Sequence, residues 1–181
     1  MKRNGIVGLL IAALVSPVAA QSGFVLTGKT TSRVTAKVVR VPVLTVTDGN
    51  GGWFERGLEM QQFGGWDTPY EATAQLRVTA TLRDFQVRLD EPLQIRNQTR
   101  PAQVFRRPTV NFGAEGGAPK PLAVGQSMAF QNPAPTVPGG DSVGTYVLSV
   151  AAYPPEGDFH STAGQYSGVL SLTFEPVVKA P

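Results

Sequence analysis

The densest group of potentially reactive side chains is Asp158, His160 and Ser161, in the stretch EGDFHSTAG. A carboxylate, an imidazole and a hydroxyl are the parts of a nucleophilic triad, in which the acid orients the base and the base takes the hydroxyl proton. A working triad needs partners from distant parts of the chain, and no motif announces them. His160 is the only histidine, and one histidine does not assemble a zinc site, so the expectation for it is a solvated loop residue. Asp48, Asn50, Gly52 and Glu59 occupy the first, third, fifth and twelfth places of a possible calcium loop. The sixth place, which needs glycine, holds Trp53, and no flanking helices are predicted. A glycine-rich turn is the better reading. The carboxylate pairs Asp90/Glu91 and Asp141/Asp158 show no spacing that acid–base chemistry requires. The chain has no cysteine, which excludes thiol catalysis and thiolate metal ligands. These residues argue against an enzyme and imply neither cofactor nor metal.

A second constellation is aromatic. Trp53, Phe54, Phe63, Trp66 and Tyr70 cluster among glycines in GWFERGLEMQQFGGWDTPY. Such rings either form a platform for the apolar faces of sugars or plug a core beneath a long loop. The core reading is the expectation. The platform reading supports an alternative function, a secreted monomeric β-sandwich that grips carbohydrate through Trp53 and Trp66.

The elements that hold these residues are strands. No window sustains a helical period, whereas period two recurs. Leu76, Val78, Ala80 and Leu82 face one way, as do Phe85, Val87 and Leu89, then Tyr146, Leu148, Val150 and Ala152, and finally Tyr166, Gly168, Leu170, Leu172 and Phe174. Each run predicts a half-buried strand with one apolar face. Clusters such as DGNGG (48–52), GAEGGAPKP (113–121) and NPAPTVPGGD (132–141) read as turns between them. Short strands with Gly- and Pro-rich connections predict an all-β sandwich.

The chain opens MKRNGIVGLLIAALVSPVAA, two cations and a short apolar run followed by small residues. That layout predicts a signal peptide over residues 1–20. Its removal takes Lys2 and Arg3 and lowers the formal net charge from +3 to +1. So small a charge gives nucleic acid no electrostatic footprint.

The longest alternation follows at once. Phe24, Leu26, Gly28, Thr30, Ser32, Val34, Ala36 and Val38 form an uncharged face, and Lys29, Arg33 and Lys37 lie on the opposite one. From the alternation alone, this ribbon is either a strand of its own sandwich or a strand made for another.

Three segments carry a resemblance that bears on the choice. They are STAGQYSGVLSLTFEPV at the C-terminal end, VTAKVVRVPVLTVTDGNG after the ribbon, and YVLSVAAYPP. Together they resemble the major pilins of the alternate chaperone–usher pathway, the alpha-type fimbriae known best as colonization-factor antigens of enterotoxigenic bacteria. Gly164 to Leu172 match that family's G-x-Y-S-G-V-(V/L)-S-L pattern. The polar middle of the ribbon, Gly28, Thr30 and Ser32, departs from the family's donor segment, and the ribbon begins further upstream.

The resemblance implies an incomplete immunoglobulin-like sandwich over residues 41–181, completed by a donor strand from the 21–40 extension of a neighbouring subunit; such strand addition is a known mode of recognition. The donor face is then Phe24, Leu26, Thr30, Ser32, Val34, Ala36 and Val38. The acceptor groove is lined by Tyr166, Gly168, Leu170, Leu172 and Phe174 of the last strand, with Gly164 and Gly168 letting the neighbour approach. Implied partners are copies of the chain arranged head-to-tail, a periplasmic chaperone, an outer-membrane usher and a tip adhesin. The implied location is cell-surface fimbriae, reached through the periplasm.

Overall fold

A computed structural model describes residues 41–49 and 52–178. Of the two units into which the chain divides, Met1–Val38 and Val39–Pro181, these all belong to the second. The signal-peptide and donor-face residues lie outside the described residues.

Along the chain run β1 (Leu44–Asp48), the helical turn α1 (Trp53–Arg56), β2 (Gln61–Gln62), β3 (Tyr70–Ala80), β4 (Asp84–Leu89) and β5 (Arg96–Asn97). They are followed by β6 (Arg106–Ala114), β7 (Lys120–Pro121), β8 (Ser127–Gln131), β9 (Ser142–Tyr153), a second turn α2 (Phe159–Thr162), β10 (Tyr166–Ser167) and β11 (Leu172–Pro176). The larger sheet has the order β1-β3-β9-β6-β7, with β2 on the start of β3; the smaller is β11-β4-β8, and β10 pairs β5 separately. All these strand pairings are antiparallel.

The predicted alternation decides which side chains meet. Ala72, Ala74, Leu76, Val78 and Ala80 of β3 are buried while Glu71, Thr73 and Arg77 are exposed. Phe85, Val87 and Leu89 of β4 and Tyr146, Leu148, Val150 and Ala152 of β9 are buried as expected. The two inner faces interdigitate: Phe85 meets Tyr146 edge-on at 5.2 Å, and Phe112 of β6 meets Phe174 of β11 at 5.7 Å. Each fully buried side chain of this size contributes about 1.5–3 kcal/mol through removal from water, so the sandwich needs no disulfide.

The topology is that of an immunoglobulin-like sandwich. In the constant-type arrangement the first, second, fifth and fourth strands form one sheet, and the third pairs the sixth and seventh in the other. Here β1, β3, β9 and β6 occupy the first four of those places, and β4 pairs β11 as third and sixth. β8 adds to the far side of β4. Among the described residues nothing pairs the outer side of β11, where a seventh strand sits in the complete fold, so β11 is the edge of its sheet.

Three local expectations change. The final alternating run is two strands, because β10 pairs β5 and β11 pairs β4, with residues 168–171 between them. Leu82 falls in the turn after β3 and is only half-buried. The third correction concerns the cluster read as a loop at 113–121: Gly113 and Ala114 finish β6, and Lys120–Pro121 form β7 against it.

Candidate functional site: a groove between two sheet edges

β1 is the edge of the larger sheet and β11 the edge of the smaller, and a cavity of about 1610 Å³ opens along this side of the sandwich. Its floor is the inner face of β3 and β9, including Ala72, Leu76 and Val150. One wall is Val46 of β1 continued by Trp53, Leu58 and Met60. The other is Leu93 and Ile95 with the final strand segment. Tyr166, Gly168, Leu170, Leu172 and Phe174, the groove residues that the family resemblance implies, all line it. The four with side chains are only partly buried although they pack on the core. An apolar wall left half in water is what an unpaired sandwich edge produces, since its side chains have a layer on one side only.

Polar contacts hold this wall in place. Asp90, at the end of β4, accepts from Ser171 Oγ at 2.8 Å, Thr173 Oγ1 at 2.9 Å and Arg88 Nε at 3.1 Å. The Ser171 and Thr173 hydroxyls, with a smaller contribution from the Arg88 guanidinium, hold its carboxyl below the usual carboxylate range. Tyr166 is fixed by its hydroxyl, which donates to Thr162 O at 2.7 Å and lies 3.1 Å from Gln103 Oε1, and by an edge contact with Phe105 at 5.0 Å. Buried Asn97 folds the facing loop: its Oδ1 accepts from Thr99 N, Thr99 Oγ1 and Arg100 N at 2.9–3.0 Å. Arg100 in turn donates to the carbonyls of Ser161 and Ala163.

The glycines of the final segment are explained by space. A Cβ on Gly168 would lie 2.4 Å from the Gln94 carbonyl oxygen, and one on Gly164 would lie 2.5 Å from Asn97 Nδ2. The close approach expected at these positions is therefore to the chain's own residues 94 and 97.

The other candidates resolve differently. Asp158 caps α2, accepting from Ser161 N at 2.7 Å, and that backbone hydrogen bond holds its carboxyl below the ordinary value. Ser161 Oγ donates to the Asp158 carbonyl at 3.0 Å. These groups serve a helical turn in which His160 is exposed, and they do not converge as a triad. Asp48 accepts from Trp53 N, so this carboxylate orders the start of α1. No group of metal-ligating side chains occurs among the described residues.

The aromatic cluster splits. Trp53 packs on the core with its indole N–H donating to Gln75 O at 3.2 Å, and Tyr70 stacks edge-on against Phe105 at 5.3 Å. Phe54, Phe63 and Trp66 are exposed, against the core expectation. Phe54 and Trp66 line the mouth of the groove. Trp53 and Trp66 thus do not form a common platform of exposed rings.

No protein-family model and no curated protein matches the chain. Among solved structures the chain is similar to the CooA pilin subunit from enterotoxigenic Escherichia coli, at 22% sequence identity and a TM-score of 0.47, covering 62% of this chain and 73% of that one. It is also similar to a chain in the structure of a chaperone–tip adhesin complex from CFA/I fimbriae biogenesis, at 16% identity and a TM-score of 0.44. That match covers 74% of this chain and 42% of the other, so the chain spans less than half the length of this second protein.

Proposed function

We propose that the protein is a structural subunit of a surface fimbria that polymerises by donor-strand complementation. The carrying observation is the edge position of β11 beside an apolar groove, in a sandwich whose other strands occupy the immunoglobulin-like places. Such a groove takes an extended segment whose alternate side chains are apolar and whose backbone pairs with the open edge. The chain carries a segment of that kind. Phe24, Leu26, Thr30, Ser32, Val34, Ala36 and Val38 present an uncharged face, and Lys29, Arg33 and Lys37 lie on the other. In this reading the 21–40 extension of one copy fills the groove of the next, against Tyr166, Gly168, Leu170, Leu172 and Phe174. A head-to-tail contact of this kind does not close on itself and makes a filament.

The role is structural, with no catalytic step. A periplasmic chaperone lends a strand before assembly, an outer-membrane usher orders the exchange, and a tip adhesin caps the far end of a fibre displayed on the cell surface. A one-residue slip of the donor would bury its cations, so its register is strongly determined.

The test is assembly by donor-face variants of the full chain, exported together with its assembly partners. Val34→Asp or Ala36→Asp places a charge in the groove and abolishes fibres seen by electron microscopy, while circular dichroism of the subunit stays that of a folded β protein. Arg33→Glu is mild, because that side chain faces water. If Arg33→Glu harmed assembly as much as Val34→Asp, the assignment of faces would be wrong.

A further inference from the structure

Two exposed apolar patches lie at opposite ends of the sandwich. At one end are Val41, Val43 and Val178, between 56% and 71% exposed. They flank the turn between β3 and β4: Thr81 N donates to Val43 O, and Val177 N donates to Asp84 O, both at 2.9 Å. At the other end Phe54, Trp66, Phe159 and Val169, between 52% and 85% exposed, rim the mouth of the groove. This rim sits at the Tyr166 end of the final segment. Tyr166 anchors α2, which carries Phe159, while Gln62 of β2, beside Tyr70, donates to Trp66 O at 3.1 Å. Apolar side chains grouped in this way mark a contact surface more often than scattered single ones do.

Strand direction connects the two ends. The β11-β4-β8 sheet is antiparallel throughout. A strand added to β11 in the same pattern runs opposite to it and leaves the groove at the Tyr166 end, at the rim. Resting on the donor-strand reading, the residue leaving there is Val38 of a second copy. Val41 follows three residues later, within about 10 Å of extended chain. That tether holds the Val41 end of the second copy against the rim of the first, at an effective concentration that makes even a weak apolar contact form.

We propose that the rim formed by Phe54, Trp66, Phe159 and Val169 receives the Val41, Val43 and Val178 end of the next copy, as a second contact between subunits beside the donor strand. The donor strand joins the copies; this contact sets the angle between them and removes the hinge that the short tether would otherwise leave.

The chain has no cysteine, so introduced pairs report contacts without background. In full-chain fibres, Val43→Cys is combined in turn with Phe54→Cys, Trp66→Cys, Phe159→Cys and Val169→Cys and treated with a short bis-maleimide. A covalent ladder on a denaturing gel is expected from at least one pair and from none of the single rim variants. Ala36→Cys with Leu170→Cys, Leu172→Cys or Phe174→Cys separately reports the donor strand in its groove. Donor ladders without any rim ladder overturn the rim contact and leave the groove reading standing. Absence of both overturns the groove reading and the rim contact with it. Trp66→Ser is expected to raise the fraction of subunits shed from heated fibres about tenfold, the effect of losing most of one buried aromatic side chain. If instead Trp66→Ser left shedding unchanged and removed fibre attachment to sugar-coated beads, the rim would be a ligand surface and the proposal would fail.

Discussion

Tyr146 and Tyr166 stand in two regions of one sandwich, and their surroundings differ in kind. Tyr146 is 1% exposed, stacked on Phe112 at 5.1 Å and edge-on to Phe85, with its hydroxyl donating to Asn132 Oδ1 at 2.9 Å. Asn132 Nδ2 in turn donates to Val78 O and to Ser142, whose hydroxyl donates to Ala80 O at 2.9 Å. Every polar atom of this buried group has a partner. Tyr166 has partners too, yet its ring lines a cavity and stays half in water. The residues are equally apolar at both places. The difference is whether a second layer covers them: two sheets face each other around Tyr146, and an edge lies open beside Tyr166. The first region stabilises the fold, and the second leaves apolar surface half in water.

Breaking the closed region should cost the most. Phe85→Ala empties a fully buried site and is expected to lower stability by about 3–5 kcal/mol, read from urea unfolding. Leu172→Ala in the half-buried wall should cost roughly 1–2 kcal/mol in the isolated protein and, on the proposed donor-strand reading, reduce fibre yield far more. Equal losses in urea would mean that the two regions do not differ as described. Between these two in size is Asn132→Ala, which leaves the Tyr146 hydroxyl and the Val78 and Ser142 carbonyls short of a partner; about 2–3 kcal/mol is expected.

Titration sharpens the same contrast with smaller effects. Burial pushes the Tyr146 hydroxyl from 10.0 up to about 12. Its contribution to stability is whole below pH 10 and is lost as pH rises toward about 12, because the unfolded phenol ionises first. Phenolate absorbance should show Tyr146 ionising only as pH nears about 12, together with unfolding. Asp90 works in the opposite direction and more weakly. Its lowered carboxyl supports the groove wall above the ordinary carboxylate pKa, and this support fades as pH falls through the lowered value. Asp90→Asn should flatten the acid limb of a stability profile; an unchanged limb would remove Asp90 from the account.

Much of this was legible in the sequence. Strands β3, β4 and β9 were readable because both sheets bury one face, and the pleat then writes burial as alternation. The apolar alternation from Tyr166 to Phe174 was readable too, although it runs across two strands, while a groove role for it was only what the family resemblance implied. β6 was missed because it begins Arg106-Arg107-Pro108, with a register shift before Thr109, and turns few large apolar side chains inward. β8 contributes only Met128 and Phe130, both half-buried. The exposed rings of Phe54 and Trp66 were unreadable, since an aromatic residue looks alike in a core and on a rim.

By itself the sequence determined which residues share a face, how large the apolar faces are, and that no disulfide supports them. These are local quantities, set by a two-residue period and by side-chain chemistry. Only the tertiary structure decided which strands are edges, that the final run breaks at Gly168 against Gln94, and that a groove lies between β1 and β11. Pairing joins residues far apart in the chain, as Leu172 with Leu89 and Leu44 with Ala80, and no local period records which partner a strand lacks.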